Sequence, residues 1–153
     1  MNEDRPNRRR AHPEQTGGED GRPRCPAAAR AEALDFGLGD LPGVREHVAA
    51  RARGAGMAEE AVGDLLVAVN EVATNAVTHG ADRARLCTWH TARSFLVQIH
   101  DSGHWIPAGP PGRTPPGDYA TSGMGLWVSS LLSEVIHFDC GPQGTTVTMG
   151  FSI

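Results

Sequence analysis

Apolar residues recur at Val62, Leu65, Leu66, Val69, Ala73, Ala76 and Val77. That single stripe at helical spacing predicts a long amphipathic helix from Met57 to His79. Glu71 and Asn75 fall on the side away from the stripe, at about 100° per residue. Pro42–Arg53 predicts a shorter amphipathic helix, with Pro42 suited to the first turn and Gly54 and Gly56 closing it. Glu32–Phe36 predicts a short first strand. Ala84–His90 and Phe95–His100 predict an antiparallel pair around Thr91–Ser94. Gly125–Leu132 predicts a third helix, and Val135–Asp139 with Thr145–Phe151 a second hairpin closed by Cys140–Gly144. This order predicts an α+β fold: a two-layer sandwich of one mixed sheet with helices packed on one face. Residues 104–122 carry five prolines and three glycines with no apolar period, which predicts a functional loop or a disordered one.

Composition narrows the chemistry. All 14 basic residues are arginine and none is lysine. A P-loop, a eukaryotic-type kinase and Schiff-base catalysis all need a lysine and are therefore excluded. Residues 1–30 hold seven Arg against five acids, +2, so residues 31–153 carry −6 and the sum is the net −4. An acidic domain suits nucleic acid poorly. Arg8-Arg9-Arg10 in so polar a segment reads as part of a solvated, disordered tail. Cys25, Cys87 and Cys140 are odd in number and widely spaced. They match neither a zinc site nor a disulfide scaffold, and the expectation is a reducing cytoplasm. No N-terminal apolar run reads as a signal peptide, and no stretch reaches membrane-span length. The seven histidines form no H-E-x-x-H metal motif.

Glu71 and Asn75 are four apart and share a helix face. A carboxamide oxygen suits a hard cation such as magnesium. A carboxylate can take the proton of a hydroxyl beside a transferring phosphoryl group. Alone, the pair is the wet face of an amphipathic helix; three motifs downstream give it a chemical reading. The strand Phe95–His100 runs into Asp101-Ser102-Gly103. Ser122-Gly123-Met124-Gly125-Leu126 opens the third helix, and Gly144-Thr145-Thr146-Val147 turns into the last strand. Glycines before a helix let backbone N–H groups approach phosphate.

In this order the motifs resemble those of GHKL-type ATP-binding domains, shared by histidine kinases, gyrase, Hsp90 and MutL. Within that group the chain is most similar to the small bacterial serine-kinase anti-sigma factors. The likeness covers residues 31–153, leaving 1–30 as a tail. It implies ATP and Mg2+ as cofactors and a lid over the nucleotide at 104–122. It implies Glu71 as general base and Asn75 as magnesium ligand. Asp101 would accept from the adenine amino group, with Gly103 letting the backbone approach the base and Thr145 supporting that contact. Gly123, Gly125 and Leu126 would meet the phosphates. Arg45, on the first helix and 26 residues before Glu71, would reach the terminal phosphate. His79 reads as a cap at the C-terminal end of the long helix. Trp105 departs from the family's D-x-G-x-G pattern by standing at its second glycine.

The resemblance further implies the partners: a sigma factor to sequester and an antagonist protein to phosphorylate on serine. Direct contact with nucleic acid or membrane is not expected. Members of that branch usually dimerise, although no dedicated homodimer motif stands out here. The rival reading is a nucleotide-dependent sequestering module with little kinase activity. A histidine-kinase fragment would need a phosphoacceptor histidine on a helical hairpin. His12 lies in the polar tail and His47 on a single helix.

Overall fold

The computed structural model describes residues 23–26, 32–103 and 124–153. Strand β1 (Glu32–Gly37) passes through a short turn at Leu38–Asp40 into helix α1 (Leu41–Gly54). The Asp40 carboxylate accepts from the Gly37 N–H (2.9 Å), which fixes the strand-to-helix corner. Pro42 sits in the first turn of α1, where a missing N–H costs nothing. Past the end of α1, Gly56 takes φ +92° and reverses the chain. Helix α2 (Glu59–Asn75) opens with Glu59 and Glu60 at the positive end of its dipole. Arg53 donates twice to the Glu59 carboxylate (2.7 and 3.1 Å) and so ties the end of α1 to the start of α2. That hydrogen bonding holds the Glu59 carboxyl below its usual range.

The remaining elements are strands β2 (Arg83–His90) and β3 (Ser94–Asp101), helix α3 (Met124–Leu132), and strands β4 (Val135–Gly141) and β5 (Gly144–Ser152). Each expected element is present, with most ends shifted by a residue or two. The sheet order is β1-β2-β3-β5-β4. All four neighbouring pairs are antiparallel, so the sheet is not mixed as expected. The reason is topological. Two helices separate β1 from β2 and return the chain to pair antiparallel. The crossover through α3 does leave β3 and β4 parallel, but β5 inserts between them.

Side chains alternate across this sheet. One face buries Phe36, Leu86, Phe95, Val97, Ile99, Val147 and Met149 against Val44, Val48, Val62, Leu65, Val69 and Val72 of α1 and α2. Burying each such side chain contributes about 1.5–3 kcal/mol. The apolar face of α2 is wider than the stripe alone, since Ala68 and Val72 are also buried. Helix α3 covers that flank, and its Ser129 hydroxyl donates to the Ala68 carbonyl (3.2 Å).

The opposite face carries a small second cluster of Cys87, Trp89 and Leu96, with Cys25 packed on it. Here the cysteine expectation is corrected. Cys25 and Cys87 form a disulfide across 62 residues, and Cys140 is an exposed cysteine outside that bond. Spacing could not reveal this, because the register of β2 decides which side chain faces residue 25. Four residues of the expected tail, 23–26, are thereby placed against the sheet. Among the described residues no helix is long and apolar enough to cross a membrane.

Candidate functional site: a buried aspartate in a glycine cradle

The last residue of β3 is Asp101, opposite Ala84 on β2 and Thr145 on β5, with its side chain on the helix-bearing face. It is 3% exposed. A buried carboxylate must be hydrogen-bonded, and the Gly103 N–H donates to its Oδ1 (2.8 Å). The Thr145 hydroxyl in turn donates to the Gly103 carbonyl (3.2 Å). Asp101, Gly103 and Thr145 therefore form one connected unit, although Thr145 lies far along the chain from the other two.

Three glycines enclose it. A Cβ on Gly80 would run into the Asp101 carboxylate, and one on Gly103 into the Gly80 backbone. A Cβ on Gly144 would meet the Asp101 carbonyl, and Gly144 also takes φ +121°. Backbone thus lies where side chains would otherwise stand, packed close against the carboxylate.

Gly80 reaches this position because α2 ends in a π turn, Ala76–Gly80, closed by the Ala81 N–H on the Ala76 carbonyl (3.0 Å). Such wider turns often occur at functional sites. The helix expected to run unbroken to His79 is therefore α-helical only to Asn75. The hydroxyls of Thr74 and Thr78 bond back to the carbonyls of Asn70 and Thr74 (both 2.6 Å), a pattern that bends helices. His79, exposed, sits in the last turn, as a cap for the dipole would.

Glu71 and Asn75 are half-buried on the last two α-helical turns of α2, the helix that leads into the cradle at Gly80. Arg45 of α1 reaches across and donates to the Asn70 carboxamide (2.7 Å), one residue before Glu71. Asn70 is a site feature that no sequence motif singles out. Gly80 is another, since by sequence it reads only as a helix end. Neither signals itself, because both act on residues far along the chain.

Leu126 is buried in the main core, 2% exposed, and so anchors α3. Gly125 lies within the first turn of α3, where the expected helix begins. Gly123, Trp105 and the lid at 104–122 lie outside the described residues. The grooves lined by described residues, of about 380, 400 and 540 Å³, lie on the opposite sheet face and at the β4–β5 turn. They touch this constellation only at Gly144, which lines the third.

A helix pair over an antiparallel sheet, with a polar pair on the second helix and a glycine-walled aspartate at a strand end, defines a class of nucleotide-binding domain. A family model described as the histidine kinase-like ATPase domain matches residues 36–151, and the chain belongs to that family. Among solved structures, that of the RsbU and RsbW domains of Rv1364c from Mycobacterium tuberculosis is similar in fold. Its TM-score is 0.55 at 16% identity, over 78% of this chain and 31% of that one. The histidine kinase domain of the blue-light activated histidine kinase from Erythrobacter litoralis EL346 gives a TM-score of 0.50 at 19% identity. It spans 83% of this chain and 65% of that one. The chain thus spans about a third of the first of these and about two thirds of the second. A search of curated proteins returned no match.

Proposed function

We propose that the chain binds Mg-ATP and acts as a serine/threonine protein kinase and anti-sigma factor. It would sequester a sigma factor in the cytoplasm and phosphorylate a serine of an antagonist protein. The observation that carries the reading is the buried Asp101 in its cradle of Gly80, Gly103 and Gly144, at the foot of the helix bearing Glu71 and Asn75. A carboxylate accepts only, so it selects a base edge that donates. Adenine's exocyclic amine is such a donor; guanine presents a carbonyl at the corresponding position.

The residues present fit the cofactors. Among the described residues no three His, Cys, Asp or Glu side chains gather to hold a metal. Magnesium needs no such cage, since it keeps several waters and is bound through one or two protein oxygens plus substrate phosphates. Asn75 would supply such an oxygen, and the ion would neutralise charge on the phosphates. Glu71 takes the proton of the attacking serine hydroxyl. Bound ATP would supply its terminal phosphoryl group to that serine oxygen, with ADP as the leaving group. Arg45, held by Asn70, stabilises charge on the departing group. The first turn of α3, with Gly125 and Leu126 after Gly123, would face the phosphates, and segment 104–122 would close over them. Residues 31–153 are the proposed domain, in a monomer or a homodimer.

Calorimetry with ATP and GTP, with and without magnesium, tests the binding half of this reading. The expectation is ATP preferred over GTP, with magnesium strengthening ATP. Labelled-phosphate transfer to an antagonist encoded nearby tests the other half. Glu71→Ala should abolish transfer, a loss of about 10²–10⁴ in rate, while ATP affinity stays within a few-fold. A wild type that binds ATP and a sigma factor but transfers nothing would be a sequestering module instead.

A further inference from the structure

We propose that the Cys25–Cys87 disulfide is a redox-operated latch, whose state decides whether residues 23–26 cover the open face of the sheet. Cys87 lies on β2 opposite Gln98 of β3, on the face that carries no helix. It is 5% exposed, with Trp89 and Leu96 beside it. Residues 23–26 run over these strands. Pro26 and Cys25 line a groove with Ala33, Arg85 and His100, and Pro23, Arg24 and Cys25 line another with His137, Asp139 and Thr148. The segment therefore crosses from the β1–β2 side to the β4–β5 side.

Backbone pairing adds little to the covalent bond there. Two of its four residues are proline and have no N–H to donate, so it cannot pair as a strand. Pro23 makes only an isolated bridge. None of the four contributes to the main core, which α1, α2 and α3 close on the other face. The domain is complete without them.

The sulfurs differ in access. Cys25 is half-buried and Cys87 buried, so a thiolate from a dithiol reductant of the thioredoxin class attacks Cys25 and Cys87 leaves. The reductant's second thiol then displaces Cys25 from the mixed disulfide. Two electrons and two protons pass to the Cys25–Cys87 pair, which ends as two thiols, and the reductant ends as its own disulfide. In the cytoplasm assumed by the proposed function, on which this point rests, a persistent bond of this kind is a sensor more often than a structural staple.

The test uses the full chain carrying Cys140→Ser, which removes the exposed third thiol. It is oxidised with glutathione disulfide or reduced with dithiothreitol. Trypsin cleavage after Arg24 is followed by mass spectrometry, and Cys87 alkylation is followed after reduction. Cleavage should be roughly tenfold or more slower in the oxidised form, as expected for a pinned segment. Cys25→Ser should cleave at the reduced rate under both conditions, and it alters only the half-buried partner. On reduction Cys87 should alkylate within a few-fold of Cys25. Equal cleavage rates in oxidised, reduced and Cys25→Ser proteins would overturn the latch, as would two free thiols remaining after oxidation. ATP affinity should not change with redox state, since Asp101 faces the helices. Loss of ATP binding in every form would sink the nucleotide reading and leave the latch result intact.

Discussion

Among single residues, the site depends on the absence of side chains as much as on their presence. Gly103→Ala would drive a Cβ into the Gly80 backbone, which cannot yield as a flexible side chain would. We expect a stability loss of about 1–3 kcal/mol in urea unfolding, together with loss of ATP binding. Asp101→Asn separates folding from base reading. The asparagine oxygen can still accept from the Gly103 N–H, so the unfolding midpoint should move little. Its new N–H donors face the base, and ATP-over-GTP preference should collapse in competitive titration. Unchanged selectivity would remove Asp101 from the adenine site. Asn70 acts through Arg45. Hydrogen bonds to charged groups contribute about 1.5–3 kcal/mol, so Asn70→Ala should slow phosphotransfer by roughly 10–100-fold. ATP affinity should stay within a few-fold, and Asn70→Asp should keep Arg45 in place. A loss confined to affinity would assign Asn70 to binding instead.

Among the helices and strands, what could be read from the sequence was what local periodicity records. The stripe through Val62, Leu65 and Val69 located α2, and alternation located all five strands to within two residues. Asp101, Gly103 and Thr145 could be picked out as motif residues, and the structure does join them. What could not be read depends on pairs distant in sequence. The π turn at Ala76–Gly80 is shaped by Gly80 seating on Asp101, two elements away. Insertion of β5 between β3 and β4 makes every pairing antiparallel, and no strand's own sequence states its neighbours. Burial of Ala68 reflects the landing of α3 on α2. That landing is testable. Ser129 is fully buried and donates to the Ala68 carbonyl, while its own carbonyl accepts from the Ser133 hydroxyl (2.7 Å). Ser129→Ala removes one donor but leaves the α2 helical ladder intact. The expected cost is about 1 kcal/mol in chemical unfolding, with no change in helix content by circular dichroism.

Across the whole molecule, the sheet separates two stabilising devices that act from opposite faces. The disulfide joins residues 62 apart. Closing a loop of that length restricts the unfolded chain by about 4 kcal/mol on the chain-entropy account. Oxidised protein should therefore unfold at a clearly higher urea midpoint than reduced protein, with Cys25→Ser matching the reduced form. Nucleotide acts on the native state instead. At a free ATP concentration about 100 times Kd it should add about 2.7 kcal/mol. Distant sites with no shared partners contribute additively, within about 0.5 kcal/mol. Cys87 faces away from the helices and Asp101 faces toward them, so the two gains should sum. The measurement is a set of four unfolding curves: oxidised and reduced, each with and without Mg-ATP. Equal ATP-induced gains in both redox forms are the expected result. A gain that differs by more than about 1 kcal/mol, well outside that additive range, would mean that the state of the open face is transmitted through β2 and β3 to the nucleotide site, so that the latch would regulate ATP binding as well as cover a surface.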